Sequence, residues 1–160
     1  MSGVTLQVNH KGLTELSAKF QRILQNADNL EPAMDEIGSK LVKTMEDRFE
    51  NEHGPDGSAW EPTIRGGSIL RQSGHLVASL THEASPDHVE AGTNKIYAGT
   101  HQEGAVIEAK NSKSLHFTIG GKAIFAKRVV IPARPFAGIN ADDMSMMTAV
   151  LQDHLTGGVE

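Results

Sequence analysis

The apolar period of this chain changes partway along, and the change decides its fold class. Met34, Ile37, Leu41, Met45 and Phe49 recur every three or four residues, the stripe of a long helix. Pro32 suits that helix's first turn, and His53-Gly54-Pro55 stops it. An earlier helix carries Leu13, Leu16, Phe20, Ile23 and Leu24 at the same spacing, with Lys19 and Arg22 outside, and the two join near Asn29. Beyond residue 79 the period falls to two. Leu115, Phe117 and Ile119 alternate with Ser114, His116 and Thr118 before Gly120-Gly121, a two-residue hairpin turn needing positive φ at both positions. The turn pairs Phe117 with Ile124 and Leu115 with Ala126, so the apolar face of a hairpin over 113–126 stays on one side. Residues 79–84 and 88–92 flank Pro86-Asp87 as a second hairpin, and Val4, Leu6 and Val8 alternate like a half-buried strand.

Residues 54–75 are the least regular. Pro55-Asp56-Gly57 is a turn in which proline presets φ and glycine takes a positive one; Trp60-Glu61-Pro62 and Gly66-Gly67 follow. A short helix is expected from Gln72 to Leu80, capped by Ser73, with Leu76 and Leu80 inward. A helical or looped stretch then holds Tyr97 and His101 before Gly104. From Val129 to Gly138 the chain reads Val-Val-Ile-Pro-Ala-Arg-Pro-Phe-Ala-Gly. Pro132 and Pro135 fix φ, extend the residues before them and remove two ladder donors. That makes the segment an edge strand or ordered connector, with Arg134 and Phe136 held out for contact. The last helix opens at Asn140, with Asp142 and Asp143 in its first turn and Met144, Met147, Leu151 and Leu155 on its apolar side. Residues 156–160 form a flexible tail. The order predicts one α+β domain over 1–160: two N-terminal amphipathic helices and a C-terminal helix packed on an antiparallel sheet, with an extended β-hairpin.

Composition narrows the function. A chain of 160 residues needs only one core. Its net charge of −5 weighs against binding nucleic acid by neutralising phosphates. The absence of cysteine excludes disulfides, thiolate metal sites and cysteine nucleophiles. The opening residues lack a basic region followed by an apolar run, and no stretch approaches the ~20 apolar residues that span a bilayer, so neither export signal nor membrane contact is expected. One Trp, one Tyr and five Phe give a modest core that a shared interface would supplement.

Eight histidines raise the question of a metal. A zinc helix needs two His four apart, but four residues after His82 stands Pro86, and His75 and His82 are seven apart. Gly120-Gly121-Lys122 resembles a phosphate loop, yet His116 takes the place of the first glycine and Ala123 that of the Ser or Thr. Ser68 lacks a nucleophile elbow, since Leu70 stands where the last glycine belongs. Glu46-Asp47 and Asp142-Asp143 diverge around a helix and serve as dipole partners or solvated face. No catalytic, cofactor-binding or metal-ligating constellation emerges. Lys122, Lys127, Arg128 and Arg134 form a basic strip that guards an edge strand or meets an acidic partner. Trp60 is either a plug beneath its loop or an interface anchor. Met144, Met146 and Met147 fill core or pack adaptably against neighbours.

Several segments in order resemble the phage virion morphogenesis family of Mu-type and P2-type tail-completion proteins. They are Arg48-Phe49 with Pro55-Asp56-Gly57 and Trp60-Glu61-Pro62; Leu70-Arg71-Gln72-Ser73-Gly74-His75-Leu76 with Ser79-Leu80; Glu90-Ala91-Gly92-Thr93-Asn94 with Tyr97-Ala98 and His101-Gln102; and Ile131-Pro132-Ala133-Arg134-Pro135-Phe136 with Gly138. Together they span roughly residues 45–140. Two positions depart: Glu103 replaces an aromatic, and Ala105 the second glycine of a pair. The resemblance implies a structural virion protein of the head–tail junction, in the virion and in the host cytoplasm during assembly. It implies a homohexameric ring that contacts the tail tube and head–tail connector proteins, through which duplex DNA passes unbound. No enzyme activity and no cofactor are implied. The interface candidates are Trp60, Arg71, Tyr97, His101 and Gln102, then Pro132, Arg134, Pro135, Phe136, Met144 and Met147. The rival readings are a nucleic-acid-binding module on the basic strip and a small metal-dependent enzyme on the histidines.

Overall fold

Helix α2 (Glu31–Asn51) is the spine, and its sequence sets both its ends. Pro32 sits in its first turn, while the Asn29 side chain accepts the Glu31 N–H at 3.2 Å. The helix stops at Glu52, two residues before the glycine that sequence marks as its end. Glu52 adopts the left-handed conformation at φ 54°, costly for a residue with a side chain. Its carboxylate offsets that cost by accepting the Ile69 N–H at 2.7 Å, tying the irregular loop to the helix end. The computed structural model describes residues 10–110 and 113–158. The strand expected at Val4, Leu6 and Val8 lies outside the described residues.

One face of α2 feeds two apolar clusters. Met45 and Phe49 pack with Trp60, Ile69, Leu76, Ala98 and Phe136. Ala33 and Ile37 pack with Val150 of the last helix, α4 (Ala141–Thr156), against which Met146, Met147 and Leu151 also lie. α4 is capped as its sequence predicts: the Asn140 side chain accepts the Asp143 N–H at 2.8 Å, and the Asp143 carboxylate accepts the Asn140 N–H at 3.0 Å. Helix α1 (His10–Ala27) packs against α4, with Asn26 donating to the carbonyls of His154 and Leu155.

The strands are antiparallel, as expected, and among the described residues they form three two-stranded ladders. β1 (Leu80–Ala84) and β2 (Val89–Thr93) are the hairpin around Pro86-Asp87 and lie on α2. They approach closely because Gly38 faces them; a Cβ there would collide with the His82 ring and Val89. A short helix α3 (Ala98–Glu103) leads through Gly104, at φ 76°, to β3 (Ala105–Glu108). A Cβ on Gly104 would stand 2.8 Å from both Ala133 N and Ile131 O, so one glycine makes the turn that the family-like pattern gives to two. β3 pairs with β6 (Arg128–Ile131), and between them rises the hairpin β4 (Leu115–Ile119) and β5 (Lys122–Ala126). Phe117 faces Ile124 and Leu115 faces Ala126, the register Gly120-Gly121 dictates. The Ala109 N–H bonds Lys127 O at 3.1 Å between the two ladders, so they follow one another along a single extended arm.

The helix expected over 72–80 is reduced to one 3-10 turn, Val77–Ser79. Gly74, which would be the first helical residue after a Ser73 cap, takes a positive φ of 69°, so the helix does not start there. Leu76 is buried as expected.

Candidate functional site

The connector from Pro132 to Asn140 has no ladder, so its backbone groups need other partners. The Arg134 N–H finds His101 O at 2.7 Å, and side chains supply further partners. Gln102 on α3 accepts the N–H groups of Phe136 and Ala137, both at 3.0 Å, and donates to Ala137 O at 2.7 Å. Arg48 on α2 donates to Phe136 O at 3.0 Å, to Gly138 O at 2.7 Å and to the Asp143 carboxylate at 2.6 Å. Trp60 Nε1 donates to Pro135 O at 3.0 Å. Arg48 and Asp143 are buried, so the ion pair is enclosed and backed by further hydrogen bonds, the condition a buried charge pair requires.

These bonds correct the expectation that Arg134 and Phe136 are held out on the connector. Phe136 is buried, its ring 5.1 Å from Phe49, and Phe49 meets Trp60 edge-on at 5.4 Å. Arg134 is buried too, donating to the carbonyls of Glu61 at 2.8 Å and Pro62 at 3.3 Å. The cause is donor scarcity: with two prolines, the segment keeps a backbone bond from the Arg134 N–H to His101 O at 2.7 Å, and side chains drawn around it supply the other bonds that order it. Of the two readings of Trp60, the plug is the one the geometry shows. Pro132 and Pro135 are half-buried.

The other candidates are divided. Arg71 is exposed, 4.0 Å from the Glu50 carboxylate. Tyr97 is exposed and stands edge-on to His101 at 6.1 Å. Met144 is exposed, whereas Met147 is half-buried in the second cluster. Tyr97 and His101 line a recess of about 170 Å³ with Arg65, Leu70, Gln72 and Ser73. His101 Nδ1 is buried there without a hydrogen-bond partner among the described residues. Burial, then the charges of Arg134 and Arg65, hold the His101 pKa below the ordinary imidazole value.

The basic strip does not survive as a unit. Arg134 is turned inward and Arg128 lies 3.7 Å from Glu108, while Lys122 and Lys127 have no ion-pair partner among the described residues. His82 meets Asp35 at 2.9 Å and His88 meets Asp87 at 2.7 Å. Among the described residues no group of three or more His, Asp or Glu is placed to hold a metal ion. No helix of the described residues is long and apolar enough to cross a membrane.

What sequence reasoning missed is the surplus of apolar surface. Leu13, Leu16, Phe20 and Leu24 of α1 are exposed, as are Val106 and Val130 across the β3–β6 ladder, Phe125 on the hairpin, and Ile139 beside Met144. The α1 stripe was visible as periodicity, but a period does not say whether the subunit or a neighbour covers it.

The profile of the phage virion morphogenesis family matches residues 12–156. The chain belongs to that family. Its role is accordingly a structural one in the phage virion, and the family is one of virion proteins. The chain is similar to "Mu-like prophage FluMu G protein 2" of Haemophilus influenzae, 27% identical over 150 residues, covering 93% of this chain and 95% of that one. It is also similar to "Putative capsid assembly protein G" of Escherichia phage Mu, 27% identical over 117 residues, 65% of each chain. No solved structure matches it.

Proposed function

We propose that this family member is a ring-forming subunit of the head–tail junction, acting in tail completion. The observation that carries the reading is the pairing of two features in one small subunit. The connector is locked internally by Arg48, Gln102 and Trp60, while apolar side chains on α1, the β-arm and the start of α4 are left uncovered. A subunit that is rigid inside and sticky outside is suited to assembly. The three ladders, each with open outer edges among the described residues, add sites where neighbours can pair. The implied partners are further copies of the chain, as a hexamer, with the tail tube on one side and connector proteins on the other.

Six copies at −5 carry −30, and a lumen dominated by acidic residues would let duplex DNA slide through without sticking. Native mass spectrometry of the purified protein, alone and with isolated tail tubes, tests the reading. A closed ring of one mass that stays with the tubes is the expected result. A monomer at every concentration that ignores the tubes contradicts it.

A further inference from the structure

We infer that the apolar face of α1 is one half of a head-to-tail contact between copies of this chain, seated on the Ile139–Met144 patch of the next copy. The inference rests on the ring reading above and names the surfaces that close it. Leu13 is 59% exposed, Leu16 50%, Phe20 59% and Leu24 67%, and all of residues 12–22 are exposed. Ile23 and Asn26, near the end of the helix, are seated, with His154 Nε2 reaching the carbonyls of Asn26 and Asn29 at 3.0 and 2.9 Å. The helix is thus seated near its C-terminal end through Ile23 and Asn26, while Leu13, Leu16, Phe20 and Leu24 stay open to solvent.

Leu13, Leu16, Phe20 and Ile23 follow the three-and-four spacing of a seam that packs on another surface. The four exposed side chains present roughly 400 Å² of apolar surface, about half of the ~800 Å² per partner in a standard interface. A freestanding α1-to-α1 dimer is therefore undersized, and the stripe fits one component of a larger contact.

Charge selects the occupant. Lys11, Lys19 and Arg22 against Glu15 give the α1 sequence +2, which leaves −7 for the rest of a chain of −5. A basic helix in an acidic chain is complementary to another copy's remainder. Within that remainder, Ile139 is 59% and Met144 55% exposed, with Asp142 exposed between them. This patch is at the N-terminal end of α4, whereas α1 is anchored at the C-terminal end, about 15 Å along the helix from Met144 to His154. Two different patches at opposite ends of one element define a heterologous contact, the kind that generates rings.

The test uses full-length protein in three forms: wild type, Leu16→Glu/Phe20→Glu, and Met144→Glu. Native mass spectrometry reads assembly, and circular dichroism checks that helix content is kept. Both variants substitute exposed side chains. Each alone should lose about tenfold or more of its assembled fraction. Mixed, they should give 1:1 heterodimers and nothing larger, because each retains the half of the contact that the other lacks. Met144→Glu that still dimerises through α1 would overturn the head-to-tail arrangement. Wild-type assembly of the α1 variant, whether because residues 1–9 or a tail protein covers the stripe, would overturn the inference and leave the ring reading standing. Two folded variants whose mixture stays monomeric would also overturn it. A wild-type protein that never assembles would overturn both.

Discussion

Arg48 makes three hydrogen bonds from one buried guanidinium, two to connector carbonyls and one to Asp143. Arg48→Ala strands a buried carboxylate and two carbonyls, and loss of one partner of such a pair costs about 3–5 kcal/mol. Urea unfolding should show a loss of that size, a large share of the stability of a domain this small. A loss under about 1 kcal/mol would mean that the pair is solvated. Gln102→Ala should cost less, about 1–3 kcal/mol in the same measurement, since it leaves neutral groups unsatisfied. His101 adds a pH dependence. Its pKa is lowered on folding, so the unfolded chain binds the proton first as pH falls below the ordinary value of 6.5. The stability held by neutral His101 is complete above that value and is lost as pH falls towards the folded pKa. The melting temperature should therefore drop less on acidification in His101→Asn than in wild type; equal drops would remove His101 as the cause. The exposed His88–Asp87 pair shifts the imidazole the other way and is solvent-screened, so it opposes the trend weakly.

Helix α2 and the β1–β2 ladder meet at Gly38, and their spacing yields a prediction opposite to helix propensity. Glycine to alanine in a helix interior ordinarily stabilises by about 0.5–1 kcal/mol. Here the methyl would strike the His82 ring and Val89. Gly38→Ala should lower the melting temperature, and a rise would show that the ladder yields. Elements of this kind differ in how far the chain announces them. The Asn140 cap and the Phe117–Ile124 register were legible because they depend on residues three to seven apart, whose geometry a turn or a helix fixes. The roles of Arg48 and Gln102 were not. Their acceptors are backbone carbonyls 88 and 35 residues away, which carry no sequence signature. Arg134 illustrates the same limit: beside Lys127 and Arg128 it reads as surface charge, and only the folded Glu61-Pro62 loop shows where its guanidinium goes. The separation of the described strands into three ladders has a related cause, since alternation identifies strands but not which ladders join.

For the whole molecule, an internally locked connector changes what disruption would mean. Phe136→Ala, which sequence alone suggests as an interface probe, removes a core ring and should act on folding before assembly. The exposed α1 and α4 surfaces are the ones that separate the two. Under the proposed function, copies of this chain encircle the path of DNA where head meets tail. Cryo-electron microscopy of mature particles at the head–tail junction tests it most directly. The account predicts a closed ring of this α+β subunit at the head-proximal end of the tail tube. A junction resolved to side chains and built wholly from other proteins would contradict it.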